Sequence, residues 1–214
     1  MKIVPILFCS LLTYSYLCTV ATKLTRGWRA ALCDMNDIAE ELSRLAALEG
    51  YEFVKQLKTV TESKVFKALA TDPFIYTVGG NQSDDYVPLL NAARKGVSHG
   101  YRVFILPNPK DIRTADFIFE RRGVYKMFDL KTISGKNSVD NRLVESIGQT
   151  NRVLLNITTV FNPSILARSI KRYFNQNPTA REVLIFKGKK QISVTKKSLD
   201  DSEFFKSFIQ RYNK

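Results

Sequence analysis

The sequence predicts an α+β fold: a mixed central β-sheet flanked by helices, preceded by a helical N-terminal region. Three observations support this prediction. Residues 115–131 contain two β-forming arms around a turn, which is the pattern of a hairpin. Residues 153–157 form an almost continuous apolar run, as expected of a buried central strand. Before residue 70, leucine, isoleucine and valine recur at the spacing of amphipathic helices.

The 214-residue chain is divided by its composition into three parts. Residues 1–21 carry one early lysine and then an uncharged apolar stretch, residues 3–20. This pattern fits a signal peptide, a membrane anchor that contacts the bilayer, or an upstream extension translated from a fused reading frame. Residues 22–80 form the helical accessory region and residues 81–214 the main domain. A genuine leader predicts a secreted or membrane-anchored protein.

The hairpin is the most informative stretch of the main domain. Its arms run from Ala115 to Glu120 and from Val124 to Lys131. A two-residue loop at Arg122-Gly123 sets Asp116 opposite Asp129, with Cβ atoms roughly 5 Å apart. Lys131 shares their face because side chains alternate along a strand. The other face carries Phe117, Phe119, Phe128 and Leu130, which predict a core.

The two aspartates and Lys131 are a candidate site. Two carboxylates held this close cannot both stay ionised cheaply, so a cation must accompany them. This cation could be Lys131, a metal ion or a basic neighbour. Perturbed groups of this kind concentrate at functional sites, although a cross-strand surface ion pair would produce the same pattern.

A polar loop and a helix follow the hairpin. The loop contains Thr132 and Ser134, and Asn137 or Ser138 can cap a helix that runs to about Thr150. A buried stripe is predicted at Val139, Leu143 and Ile147, and a polar stripe at Arg142, Glu145 and Gln149.

The remaining elements flank this centre. Helical patterns cover residues 88–98, 164–173 and a closing segment after Asp200, and strand patterns cover residues 101–106, 183–186 and 191–194. His99 follows the first of these helices, where a capping histidine is commoner than a general base.

The chain is strongly basic, with 33 lysines and arginines against 20 acidic residues and a formal charge of +13. This excess favours a nucleic-acid partner, because neutralising phosphates releases counterions. A basic surface kept for solubility or for an acidic protein is the alternative. The predicted nucleic-acid contacts are Lys110, Lys136, Arg142, Lys187, Lys189 and Lys190.

The cysteines and the single histidine exclude two classes of scaffold. Cys9 and Cys18 lie in the leader, so only Cys33 remains and no disulfide can form within the chain after cleavage. One histidine without a cysteine cluster gives no zinc-binding pattern.

The order Asp116, hairpin, Asp129-x-Lys131, polar loop, helix ending in Gln149, apolar strand resembles the C-terminal tRNase domain of CdiA-type contact-dependent growth inhibition toxins. The resemblance covers roughly residues 85–195 and implies a metal-independent endoribonuclease without a cofactor. Asp116 or Asp129 would help to deprotonate the 2′-hydroxyl, and Lys131 would stabilise charge on the phosphate. Thr132, Ser134 and Gln149 would position the nucleotide. The resemblance also implies tRNA as substrate, an acidic immunity protein as partner, and action in the cytoplasm of a target cell.

The same residues are similar to the PD-(D/E)XK nucleases, in which an acidic pair holds a divalent metal ion. Under this alternative, Asp116 and Asp129 would bind Mg²⁺. The chain departs from that pattern with Ala115 in place of a common proline and Asp129 in place of the commoner glutamate. A third hypothesis is a nucleic-acid-binding domain of a mobile element without catalysis.

Overall fold

A computed structural model describes residues 57–58, 60–62, 66–78, 86–107, 115–135 and 139–214. Its centre is one eight-stranded sheet in which the strands follow each other in chain order. The pairs β2 with β3, β5 with β6 and β6 with β7 are parallel and the others are antiparallel, so the predicted α+β class with a mixed sheet is confirmed. The strands are β1 Phe66–Ala68, β2 Ile75–Val78, β3 Arg102–Ile105, β4 Phe117–Arg121, β5 Val124–Ile133, β6 Arg152–Ile157, β7 Glu182–Lys187 and β8 Lys190–Thr195.

Helices cover both faces of the sheet. One face packs against α1 alone among the described helices, and the other packs against α2, α3 and α5. Asn162 begins α3 by accepting hydrogen bonds from the backbone N–H groups of Ser164 and Ile165, which would otherwise lack partners. The helices are α1 Tyr86–Ser98, α2 Val139–Glu145, α3 Pro163–Gln176, α4 Lys196–Leu199 and α5 Phe204–Asn213.

The β4–β5 hairpin has the predicted register. Arg121 pairs with Val124, so Arg122 and Gly123 form a two-residue turn. Both turn residues have positive φ, 53° and 77°, as a type I′ turn requires, and this turn matches the twist of the flanking strands.

Strand β5 joins two different halves of the sheet. Its first half, residues 124–128, pairs antiparallel with β4, and its second half, residues 129–133, pairs parallel with β6. At this transition the backbone N–H of Leu130 donates to the Asp116 carboxylate at 2.6 Å, rather than to a backbone carbonyl. The backbone of Asp116 is held on both sides by Leu106 and Phe128. These hydrogen bonds therefore fix Asp116 at the point where β5 changes its neighbouring strand from β4 to β6.

The core forms three apolar clusters because strand residues alternate between the two faces. Phe117, Phe119 and Phe128 lie in the cluster under α1, on the face that the sequence predicts to be a core. On the opposite face, one cluster contains Ile118 and Met127. The other joins the far half of the sheet to α2, α3 and α5.

Two helical predictions need correction. Helix α2 ends at Glu145 rather than near Thr150, because Gly148 adopts φ +86° and turns the chain. Ile147 is consequently 38% exposed, whereas Val139 and Leu143 are buried as predicted. The helical pattern predicted up to Leu69 gives way to strands β1 and β2, which pair with each other and with β3.

Several predictions lie outside the described residues. These are the apolar leader with its membrane contact, most of the helical accessory region, the helix-capping Asn137 and Ser138, and the proposed nucleic-acid contacts Lys110 and Lys136. Across the described ranges, no helix combines the length and the apolar character needed to span a membrane.

Candidate active site

Asp116 and Asp129 lie side by side on the sheet face opposite α1. Phe117 pairs with Phe128 at the end of β4, where Asp116 precedes the one and Asp129 follows the other. A hydrogen bond joins the side chains of the two aspartates. Asp129 is 1% exposed, while Asp116 is partly open to solvent.

Lys131 supplies the positive charge. Its ammonium lies 2.9 Å from Oδ2 and 3.0 Å from Oδ1 of Asp129, so it contacts both carboxylate oxygens. The side chains of Lys131 and Asp129 are only 12% and 2% exposed. Burying an ion pair costs solvation free energy, and only close contact between the two charges offsets that cost. A surface ion pair does not have this cost to offset.

The environment makes one of the carboxyls a weak acid. Burial, followed by the neighbouring charge of Asp129, raises the pKa of Asp116 to about 7, against the opposing effects of the Leu130 N–H and of Lys131. Burial also raises the pKa of Asp129, opposed by Lys131. The two groups are tightly linked, so near neutral pH the pair can hold a proton, with Asp116 the partner more exposed to solvent.

Polar groups from α2 and α3 lie near Asp129. The charge of Glu145 contributes to the raised pKa of Asp129, and the charge of Asp129 contributes to that of Tyr173, although burial is the main cause in both cases. The Tyr173 hydroxyl lies 3.4 Å from Ser146 Oγ and accepts from the Asn177 amide at 3.2 Å. The sequence analysis missed Tyr173, because only the packing of α3 against α2 brings it close.

The three other predicted catalytic residues lie apart from the pair. Thr132 is on the opposite face of the sheet, since it follows Lys131 directly in β5. Ser134 is exposed just beyond the end of that strand. Gln149 lies in the turn after α2, where its amide donates to the backbone carbonyl of Glu145 at 3.3 Å. The described geometry joins Asp116, Asp129 and Lys131 and does not join these three to them.

Of the four predicted basic contacts among the described residues, three lie at the β7–β8 turn and Arg142 lies on α2. Lys187 and Lys190 both donate to the backbone carbonyl of Tyr212 at the end of α5, at 3.4 and 3.1 Å. A cation is favourable there because the last carbonyls of a helix carry partial negative charge. Lys189 is exposed in the β7–β8 turn, and Arg142 is exposed in an ion pair with Glu145. Lys189 and Arg142 are thus the more open of the four to a phosphate.

His99 belongs to the α1 side. Its ring stacks on Phe186 with centroids 5.3 Å apart, and Phe186 lies in the cluster under α1. Burial, with a smaller contribution from Arg121, lowers the pKa of His99. The histidine is therefore separated from the acidic pair by the sheet.

The acidic pair also offers oxygen ligands for a cation. Asp116 and Asp129 would bind a hard divalent ion such as Mg²⁺, which commonly keeps several waters or phosphate oxygens as its other ligands. In the described part of the chain, no three acidic, histidine or cysteine side chains gather as metal ligands. The residues therefore suit an ion held by two carboxylates rather than a cage made wholly of protein groups.

Comparisons with known proteins give one structural similarity. No family model matches the chain. No curated protein matches it in sequence. The structure is similar to a chain of the CdiA-CT/CdiI toxin and immunity complex from Burkholderia pseudomallei, with a TM-score of 0.38 and 16% identity, over 55% of this chain and 92% of that one.

Proposed function

We propose that the protein is an endoribonuclease that cleaves RNA at Asp116, Asp129 and Lys131. The observation that carries the proposal is the carboxyl pair, in which Asp116 has a pKa of about 7 and Asp129 is paired with a buried ammonium. A general base works best when its pKa is near the working pH, and ordinary aspartates are far too acidic for this.

The pair and the ammonium divide the chemistry of RNA cleavage between them. Ionised Asp116 takes the proton of a 2′-hydroxyl as its oxygen bonds to the adjacent phosphorus, and the bond from phosphorus to the 5′-oxygen breaks. The proton passes from Asp116 to that leaving oxygen, so the products are a 2′,3′-cyclic phosphate and a 5′-hydroxyl. Lys131 stabilises the negative charge that builds on the phosphate. Asp129 positions Lys131 through its two short contacts.

The charge of the chain supports a nucleic-acid substrate and an acidic partner. A formal charge of +13 attracts RNA, and tRNA is the RNA that we propose as the substrate. If the protein acts as a toxin delivered to the cytoplasm of a target cell, its producer needs an inhibitor. An acidic immunity protein would complement the positive charge of the chain.

Cleavage by the full chain tests the proposal. Total tRNA and duplex DNA are incubated with the wild type, with Asp116→Asn and with Asp140→Asn, each in EDTA. We expect the wild type to cut tRNA and leave DNA intact, and Asp116→Asn to lose about 100-fold or more in rate, because the proton acceptor is gone. Asp140 is an exposed partner of Arg172, so its variant matches the charge change and should keep full activity. Binding of RNA without cleavage under any condition would overturn the proposal.

A second candidate is a nuclease that needs Mg²⁺. The observation favouring it is that two partly or fully buried carboxylates adjoin each other, and a divalent ion neutralises such a pair as a proton does. Asp116 and Asp129 would hold the ion and orient the phosphate, while Lys131 would stay beside the reacting group. Cleavage that stops in EDTA and returns with Mg²⁺ would select this candidate over the metal-independent one.

A further inference from the structure

Asn156 is a polar residue at the centre of an apolar sheet. It lies in β6, between the parallel strands β5 and β7, and is 1% exposed. Its neighbours along the strand include Leu155 and Ile157, which are buried and apolar. An amide in such a place is costly unless its hydrogen-bonding groups find partners.

The partners of Asn156 come from α1. The Lys95 ammonium donates to Asn156 Oδ1 at 2.6 Å, and Asn156 Nδ2 donates to Asn91 Oδ1 at 3.4 Å. Asn91 and Lys95 are four residues apart, so they lie on the same side of the helix. Lysine can only donate, which fixes the amide oxygen of Asn156 toward Lys95 and its nitrogen toward Asn91. Asn91 must then present its oxygen inward and its own nitrogen outward.

The cluster therefore offers only donors to a ligand. Both amide oxygens accept bonds within the cluster, whereas the Asn91 amide nitrogen and two of the three ammonium hydrogens have no partner assigned among the described residues. Thr132 is the β5 neighbour of Asn156 and shares its face of the sheet. Asn91 is exposed, which leaves the cluster open to solvent.

Lys95 also lacks a counter-charge within the described residues. No carboxylate there lies within ion-pair distance of its ammonium, in contrast to its helix neighbour Arg94, which pairs with Asp72 at 2.8 Å. Burial lowers the pKa of Lys95, as expected for a cation without a compensating anion. A cation among outward-facing donors is suited to an oxyanion with several acceptor atoms.

We propose that Lys95, Asn91 and Asn156 form a binding site for a phosphate group on the α1 face of the sheet, separate from the acidic pair. Lys95 and Asn91 contact the phosphate oxygens, and Asn156 holds both side chains in place from below. The phosphate is carried either by a free small anion or by a nucleic-acid backbone. The site does not depend on the proposed ribonuclease activity.

The decisive variant is Asn91→Asp. The new carboxylate keeps an oxygen for Asn156 Nδ2, so the fold retains its hydrogen bond, but it replaces the outward amide nitrogen and gives Lys95 an internal counter-charge. Asn175→Asp is the matched control, because Asn175 is exposed on α3, which packs on the opposite face. Both variants lower the net charge equally.

Binding is measured on the full chain by NMR titration of the side-chain amide signals at constant ionic strength. One arm uses inorganic phosphate and the other a short single-stranded DNA, which has no 2′-hydroxyl to react. We expect at least one arm to give saturable shifts of the Asn91 and Asn156 amides in the wild type, and to identify the source of the phosphate. The Asn156 shifts should need about tenfold more ligand in Asn91→Asp and stay unchanged in Asn175→Asp. Absence of saturable shifts in both arms, or equal affinity in Asn91→Asp and wild type, would overturn the site.

Discussion

The two faces of β5 and β6 carry polar clusters of opposite character. On the face toward α2 and α3, Asp116 and Asp129 bring negative charge together, and Lys131 only partly compensates it. On the face toward α1, Asn156 accepts from Lys95, and no described carboxylate neutralises the ammonium. The first cluster needs a proton or a cation, and the second needs an anion. A few adjacent positions of one strand pair thus carry two clusters of opposite charge requirement.

This difference follows from strand alternation. Lys131 and Thr132 are consecutive in β5 but point to opposite faces, as do Leu155 and Asn156 in β6. The environment of each polar side chain then depends on the helices that pack against its face of the sheet. The two faces can therefore be altered separately.

Lys131→Ala should have the largest effect on stability. It leaves the buried Asp129 carboxylate without its ammonium, and breaking a buried ion pair from one side costs about 3 kcal/mol or more. Urea denaturation at pH 7 measures this loss of unfolding free energy. Burial of the pair therefore predicts a weakened fold in this variant.

A double variant separates charge from packing. Asp129→Asn in the Lys131→Ala background removes the buried, unpaired negative charge and should recover part of the lost stability. Lys206→Ala is the control, because its pair with Glu203 is exposed and such pairs contribute less than about 1 kcal/mol. Equal losses in Lys131→Ala and Lys206→Ala would contradict the role of Lys131 as the partner of a buried charge.

Asp116→Asn should stabilise the protein at pH 8 while it removes activity. The carboxyl of Asp116 has a pKa of about 7 in the fold, against about 4 in the unfolded chain. Above pH 7 folding must therefore keep a carboxylate ionised in an unfavourable place. The asparagine oxygen still accepts from the Leu130 N–H, so we expect a gain of about 1–3 kcal/mol.

The stabilisation by Asp116→Asn should depend on pH in a definite direction. Between about pH 4 and pH 7 the folded protein holds a proton that the unfolded chain has released, so the contribution of Asp116 to stability falls as pH rises. In Asp116→Asn that decline should be smaller, and the two stability curves should diverge toward pH 8. Parallel curves from pH 4 to pH 8 would show that Asp116 titrates normally in the fold.

Gly96→Ala should weaken the α1 face. A Cβ at this position would lie 3.0 Å from Val103 Cγ2 and 3.1 Å from Phe119 Cζ, and both side chains are fully buried. Overpacking costs about 1–3 kcal/mol, and the better helix propensity of alanine returns up to about 1 kcal/mol. A net loss of about 1 kcal/mol is expected in urea denaturation. A gain would mean that α1 can move off the sheet without cost.

The acidic pair was predictable from sequence because hairpin geometry is local. A two-residue loop at Arg122-Gly123 determines the register as far as the pair of Phe117 with Phe128, and this pair brings the adjoining Asp116 and Asp129 close together. Strand alternation then places Lys131 on the same face. The buried strand β6 was predictable because its apolar run lies within one short segment.

What the sequence did not reveal depends on long-range packing. Lys187 and Lys190 appear as free basic residues until α5 places the Tyr212 carbonyl beside them. Tyr173 reaches the neighbourhood of Asp129 only through helix packing. Asn156 stands in an otherwise apolar run, which was a visible signal, but its lysine partner is 61 residues away in the chain. Residue spacing gives no indication of such contacts.

Asn91→Asp should produce the smallest change in stability, which we expect to be a gain. The direction of this change tests whether the two faces differ in the charge that each requires. A carboxylate beside Lys95 would form a partly exposed ion pair, which should raise the pKa of Lys95 and add about 0.5–1 kcal/mol to the unfolding free energy. Adding a negative charge therefore stabilises the α1 face, whereas removing one at Asp116 stabilises the other. Asn175→Asp again serves as the charge-matched control in thermal unfolding. Destabilisation in Asn91→Asp alone would mean that Lys95 already has a compensating anion, and the two faces would then not differ in the charge that each requires.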